Sequence, residues 1–164
     1  MIRAATLAAL ALLLTGCIAL PAGLQVYVSE NGCTPEGVCP YGGQSQANYY
    51  YSPTRTIVLA PQQGTFILIH EACHAHQHQV VLDAKMPSTV DLNKWYLTSE
   101  GQAFMAATDW SRDACGAFYN PAPSPWGYVS DWTPIEDAAN TCAVWLLGMA
   151  LDGPREEWAE RWLR

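Results

Sequence analysis

One short segment of the sequence holds residues whose types and spacing suit metal chemistry. Residues 70–74 are H-E-A-C-H, which fits the pattern H-E-x-x-H, and the apolar stretch 68–80 around them holds all four histidines of the chain. On a helix, the imidazoles of His70 and His74 project from one face and can share a metal ion, whereas Glu71 lies beside the metal. The pattern therefore predicts a Zn²⁺ site with His70 and His74 as ligands and Glu71 as the general base.

A catalytic zinc site also needs a third protein ligand, because zinc enzymes use three such ligands and keep one position open. His78 stands too far along the helix to reach the same ion, and His76 points to the opposite side. We expect both on the polar surface of the helix. Carboxylates remain, and Glu136 is the preferred one because it opens an apolar helix downstream, with Glu100 and Asp137 as open alternatives.

Glu136 also has a purely structural interpretation. The sequence Thr133-Pro134-Ile135-Glu136 fits a capping box, in which Thr133 and Glu136 satisfy the first backbone amides of a helix. One carboxylate oxygen can hardly serve a backbone amide and a metal ion together. The sequence alone leaves both roles open.

The elements around these residues must position them. Alternation and β-branched runs indicate a strand over 24–28 and a hairpin over 48–59. Capping and stop signals predict a motif helix from an N-cap at Thr65 to a stop at 86–87. Further helices are predicted over 99–110, from 133 onward and over 154–163. A long loop is predicted over 114–131. The order predicts an α+β domain, with a short antiparallel β-sheet packed on the H-E-x-x-H helix and further C-terminal helices.

The N-terminus has the features of an export signal. A positively charged start (1–3) and an apolar run (4–14) precede Leu-Thr-Gly-Cys at 14–17, which resembles the lipobox of bacterial lipoproteins. This resemblance implies cleavage before Cys17, lipidation of Cys17 and a lipid anchor to the membrane of the bacterial cell envelope. The alternative is an ordinary secretory signal cleaved near residue 19 or 22. Both interpretations predict an extracytoplasmic protein.

The rest of the chain has the size of one domain. Removal of residues 1–16 as a signal peptide leaves 17–164 as a single domain. The formal net charge is −7, and the loss of Arg3 with the signal peptide makes it −8. An acidic surface argues against nucleic acid as a partner and against electrostatic adhesion to anionic lipid.

Six cysteines suit an oxidising compartment. Cys33 and Cys39 flank a turn-rich loop that a disulfide would close. Cys73 is a poor zinc thiolate, because it stands on the flank of the helix away from the base, and we interpret it as a core or disulfide residue. The pairing of Cys73, Cys115 and Cys142 stays open.

The order of these motifs over residues 46–150 resembles that of the short gluzincins, which include lethal-factor-like catalytic domains and small bacterial zinc-peptidase-like domains. In that family a hairpin and an H-E-x-x-H helix are followed by P-x-E-D-F-A-E, and residues 134–140 here are P-I-E-D-A-A-N. The resemblance implies a zincin-like fold with His70, His74 and Glu136 as zinc ligands and Glu71 as the base.

This chain departs from the family at two positions. Asn140 stands where many relatives have a glutamate behind the metal, so the hydrogen bonding there is altered. Relatives often carry an oxyanion-stabilising tyrosine seven residues before the third ligand. That position is Val129 here, and the neighbouring Tyr128 is the candidate for a second catalytic residue.

The resemblance implies a zinc metallopeptidase with a peptide or protein substrate. Zinc would lower the pKa of its bound water to roughly 7, and Glu71 would pass the water proton to the leaving amine. Two other functions stay open, namely a non-catalytic zinc-binding envelope lipoprotein and a small structural envelope protein with incidental histidines. Glu71 favours catalysis over the first, because a structural site needs no base.

Overall fold

A computed structural model describes residues 18–86, 92–127 and 132–164 of the protein. In chain order its elements are β1 (Gln25–Val28), β2 (Tyr49–Tyr51), β3 (Thr56–Leu59), α1 (Thr65–Asp83), a 3-10 helix (Leu92–Leu97), α2 (Ser99–Ala107), β4 (Ser111–Arg112), β5 (Phe118–Tyr119), α3 (Pro134–Leu146) and α4 (Gly153–Trp162). The α+β prediction is confirmed. The predicted signal peptide, Cys17 and Tyr128 lie outside the described residues. Among the helices of the described ranges, none is long and apolar enough to cross a membrane.

The main sheet has three short strands in the order β1-β3-β2. Strands β2 and β3 form the predicted antiparallel hairpin, with Tyr50 opposite Ile57. Strand β1 instead runs parallel to β3, with Val26 opposite Ile57. The predicted antiparallel pairing therefore holds for β2 and β3, and β1 makes the sheet mixed, because the long chain between β1 and β3 leaves room for the crossover that parallel pairing requires. The central strand β3 is buried along its whole length.

Helix α1 carries the H-E-x-x-H motif through the middle of the protein. It packs against α3, the 3-10 helix and strands β2 and β3. Twelve of its nineteen residues are buried, including all four histidines. Thr65 is its first helical residue rather than the N-cap, which is Gly64, and the helix ends at Asp83, before the predicted stop.

The other two histidines are buried as well, so their predicted place on the helix surface was wrong. His76 donates from Nδ1 to the carbonyl oxygen of Ala19 at 3.0 Å, and its Nε2 lies 3.3 Å from a Glu100 oxygen. Nδ1 of His78 is hydrogen bonded to the Tyr50 hydroxyl at 2.8 Å. The hydrogen bonds at the two Nδ1 atoms offset part of the cost of burying these imidazoles, and Glu100 supplies negative charge next to His76. Segments distant in sequence are thereby attached to α1.

Two disulfides cross-link the part of the chain that the structure describes. Cys33–Cys39 confirms the predicted loop closure, and Cys73–Cys142 joins α1 to α3 within the core. Cys73 is therefore not a zinc thiolate, and among the cysteines of the described residues Cys115 is free, on the surface. The two bonds indicate an oxidising, extracytoplasmic environment.

Of the two disulfides, Cys73–Cys142 should contribute more to the free energy of unfolding. It spans 69 residues of sequence, so its loss in the double variant Cys73→Ala, Cys142→Ala should lower the free energy of unfolding by about 4 kcal/mol. Denaturant unfolding measures this loss. The matched control is Cys33→Ala with Cys39→Ala, whose bond spans only 6 residues and should cost about 2 kcal/mol. A larger loss in the control would contradict the assignment.

Candidate metal centre

His70, His74 and Glu136 meet between α1 and α3. The two Nε2 atoms are 3.1 Å apart, and each lies 3.3 Å from an oxygen of the Glu136 carboxylate. A tetrahedral zinc ion with bonds of 2.0–2.1 Å holds its ligand atoms about 3.3–3.4 Å apart. The three side chains are therefore spaced as ligands of one ion, and together they form a group that could hold a metal.

The start of helix α3 explains how Glu136 reaches this place. Thr133 is the N-cap, Pro134 occupies the first turn, and the Thr133 hydroxyl accepts a hydrogen bond from the backbone N–H of Glu136 at 3.3 Å. Of the two hydrogen bonds of a capping box, Glu136 makes the one that uses its backbone N–H. Its carboxylate does not return to the cap, because it is turned toward the two histidines. The backbone of Glu136 thus serves the cap and its side chain serves the cluster, which resolves the two roles that the sequence left open.

The other carboxylates considered as ligands have different partners. Glu100 is buried beside His76 and accepts a hydrogen bond from the Trp95 indole at 3.1 Å. Asp137 is fully buried and forms a 2.6 Å ion pair with Arg155. Neither belongs to the metal-binding group.

Asp137 has a supporting role that the sequence did not reveal. Its two oxygens accept four hydrogen bonds, two from Arg155 and one each from the indoles of Trp110 and Trp126. This network ties the first turn of α3 to α4 and to the loop between β5 and α3. It holds the helix turn that carries the neighbouring Glu136.

Each ligand imidazole is oriented by an amide side chain. Nδ1 of His70 lies 3.0 Å from Oδ1 of Asn140, and Nδ1 of His74 lies 2.9 Å from Oε1 of Gln77. The Gln77 amide is itself fixed, since its nitrogen donates to the carbonyl oxygen of Ile135 at 3.0 Å. Because an amide oxygen only accepts, both Nδ1 atoms carry the proton and both Nε2 atoms turn their lone pairs toward the cluster. The centre therefore consists of electron-pair donors that a cation would satisfy.

Sequence reasoning anticipated one of these two amides. Asn140 was expected to alter the hydrogen bonding around the metal ligands, and it contacts Nδ1 of His70, the ring nitrogen that faces away from the cluster. Gln77 was missed, although its position three residues after His74 places it on the same helix face. Asn140 is a neutral acceptor, so it orients His70 without adding negative charge.

Without a metal ion, a proton takes the place of the cation. Burial opposes the charged form of His74, but the Glu136 carboxylate outweighs this effect and raises the pKa of His74 to about 9. Burial likewise opposes the ionised form of Glu136, yet His74 and His70 hold its pKa well below the usual range. A metal ion must displace this proton, so metal affinity should rise with pH up to about 9.

Glu71 lies beside the three ligands and is 5% exposed. Burial raises the pKa of its carboxyl group, while His74 and His70 act in the opposite direction. Glu71 lines the same cleft as the ligands. A raised pKa brings a carboxylate closer to the range in which it can accept and return a proton near neutral pH.

A cleft of about 470 Å³ opens over the cluster. Strand β2, the hairpin turn after it and the starts of α3 and of the 3-10 helix line this cleft. The Glu136 side chain is 42% exposed, whereas those of His70 and His74 are nearly buried. The cluster can therefore be reached from solvent through the cleft.

Comparison of the chain with protein-family models, curated proteins and solved structures finds no match. The resemblance to gluzincins therefore rests on the motifs alone. The metal-binding cluster is supported by the geometry of the described residues.

The purified protein should bind close to one zinc ion per chain, because three ligand atoms already surround one point. Glu136→Gln should weaken zinc binding by about 100-fold or more, since it removes a direct ligand, whereas loss of an orienting residue such as Asn140 typically costs about 10–100-fold. Elemental analysis and competition with a chelating dye measure both effects.

Glu100→Gln is the matched control, because Glu100 is a buried carboxylate outside the cluster. It should leave zinc affinity unchanged. The assignment fails if protein refolded with zinc holds no stoichiometric metal, or if Glu100→Gln loses more affinity than Glu136→Gln.

Proposed function

We propose that the protein is a zinc-dependent metallopeptidase of the zincin type, in which His70, His74 and Glu136 hold Zn²⁺ and Glu71 is the general base. The observation that carries the proposal is a buried glutamate next to a three-ligand cluster at an open cleft. A structural zinc site is closed by four protein ligands and needs no base.

The donor set fits catalytic zinc better than structural zinc. Two imidazoles and one carboxylate are a ligand set that hydrolytic zinc enzymes use, and structural sites favour cysteine thiolates. Cys73, the nearest cysteine in sequence, is held in a disulfide with Cys142. Three protein ligands leave one coordination position for water or substrate.

The residues around the metal would divide the work of hydrolysis. When bound, zinc supplies a Lewis acid that polarises a carbonyl group and lowers the pKa of water. Glu71 would accept a proton from the attacking water and give it to the amine that leaves. Asn140 and Gln77 would keep the two imidazoles in the tautomer that leaves Nε2 available.

The shape of the cleft supports a peptide as the substrate. Strand β2 is at an edge of the sheet and lines the cleft. Edge strands bind extended peptides through main-chain hydrogen bonds. An extended chain along β2 would pass over the cluster.

The decisive variant is Glu71→Gln, which keeps the size of the side chain and removes its basicity. The ligands are untouched, so the variant should bind zinc nearly as the parent protein does. Its turnover on peptides should fall by about 10²–10⁴-fold, the usual contribution of general-base catalysis. Cleavage of a broad peptide library, followed by mass spectrometry, measures this effect.

Glu157→Gln is the control, because Glu157 is exposed on α4 far along the chain from the motif. It should cleave as the parent does. A parent that holds zinc but cleaves no peptide would favour the non-catalytic zinc-binding lipoprotein. Equal cleavage by the parent and Glu71→Gln would refute the mechanism.

We also propose that Cys17 anchors the protein to a membrane of the bacterial cell envelope through lipid. The Leu-Thr-Gly-Cys sequence at 14–17 supports this, as do the two disulfides of an oxidising compartment. The chain just after Cys17 is packed on the domain, since Ile18 and Leu20 contact the core. The domain would therefore lie close to its anchor.

Native protein should partition into detergent and carry a mass increment on an N-terminal cysteine, because two or more acyl chains hold a protein firmly in a bilayer. Cys17→Ser should abolish the increment. Phase separation in a non-ionic detergent and intact-mass measurement test this. Soluble native protein that begins near residue 22 would instead establish simple secretion.

A further inference from the structure

We infer that Tyr41 is a substrate-contacting catalytic residue, whose phenol donates a hydrogen bond to the carbonyl oxygen of the peptide bond under attack. This inference rests on the proposed peptidase function. It assigns a role to a residue far outside the H-E-x-x-H motif.

Tyr41 reaches the site from the long connection between β1 and β2. It lines the cleft together with His70, Glu71 and Glu136. Tyr41 is 55% exposed, so its ring is accessible from solvent. The ring packs edge-on against Tyr49, with 5.2 Å between centroids. Tyr41 is thus presented to the cleft and not to the core.

The loop that carries Tyr41 is held in place at both ends. The Cys33–Cys39 disulfide closes it just before Tyr41. The hydroxyl of Tyr49 on β2 donates to the carbonyl oxygen of Gly32 at 3.1 Å. A donor that is fixed before substrate arrives stabilises developing charge best, because no reorganisation is needed during the reaction.

Several other polar groups of the cleft are acceptors or are already engaged, and Tyr51 is the other cleft tyrosine that the variants below must distinguish from Tyr41. The ionised carboxylates of Glu71 and Glu136 can only accept hydrogen bonds. The Tyr50 hydroxyl is bonded to His78, and the Thr133 hydroxyl caps α3. Ser52 and Asn93 have other interactions. Tyr41 is therefore well suited to donate a hydrogen bond to the substrate.

The electrostatics of the site agree with this role. Burial, Glu71 and Glu136 all raise the pKa of the Tyr41 phenol, so it stays protonated and available as a donor. Both carboxylates line the cleft with Tyr41. As water adds to the carbonyl carbon, the π electron pair moves to the oxygen, and the phenol hydrogen bond strengthens while the phenol keeps its proton.

Tyr41→Phe removes only the hydroxyl and tests the inference directly. The zinc-loaded variant should keep the zinc stoichiometry and melting temperature of the parent, while its kcat on a cleaved peptide falls by about 10²-fold or more. Affinity for a phosphinic peptide, whose tetrahedral anion resembles the attacked carbonyl, should fall at least tenfold in calorimetric titration. Tyr119→Phe is the control, since Tyr119 is 60% exposed on β5 and should change neither value.

Three outcomes would overturn the inference. An active parent whose kcat changes less than threefold in Tyr41→Phe, or whose change is confined to KM, would remove Tyr41 from the chemistry. A larger loss of kcat in Tyr51→Phe would assign the donor to a different tyrosine of the cleft. A zinc-loaded parent that neither cleaves peptides nor binds the phosphinic peptide would overturn the proposed peptidase function, and this inference with it.

Discussion

The site depends on one electrostatic constraint, which is that three electron-pair donors converge between two helices. The Nε2 atoms of His70 and His74 and the carboxylate of Glu136 lie 3.1–3.3 Å from one another. In a partly buried setting such groups repel unless positive charge lies among them, because little solvent is present to screen them. Either a proton or a metal ion must be present, and the two compete for the same place.

The three donors stay together only if α1 and α3 are held in fixed positions. Contacts between these helices and with α4 hold them there. The Cys73–Cys142 bond joins the two helices directly, and the buried Asp137–Arg155 pair fixes the first turn of α3. The same helix α1 also holds the N-terminal segment through His76 and the edge strand through His78. The concentration of histidines in one segment therefore reflects the position of α1 at the centre of the fold.

Local spacing predicted the hairpin, the motif helix and two members of the metal-binding cluster, because each depends on contacts a few residues apart. The third member of the cluster could be identified only from the fold, since Glu136 faces the two histidines, whereas Glu100 and Asp137 are buried against other partners. His76 and His78 were misplaced for the same reason: their partners Ala19, Glu100 and Tyr50 are far away in sequence. The parallel pairing of β1 and the approach of Tyr41 to the cleft likewise arise from the long loop after β1, whose path no local pattern specifies.

The disulfide between α1 and α3 has a consequence for how the protein matures. Small zinc domains often fold only when metal is present, because the metal supplies the cross-link between their parts. Here a covalent bond between Cys73 and Cys142 already joins the two helices that carry the ligands. The disulfide can therefore hold these two helices together whether or not the cluster binds a metal ion. A chain oxidised in the absence of metal would then have its candidate ligands already in place, and folding would not have to wait for an ion.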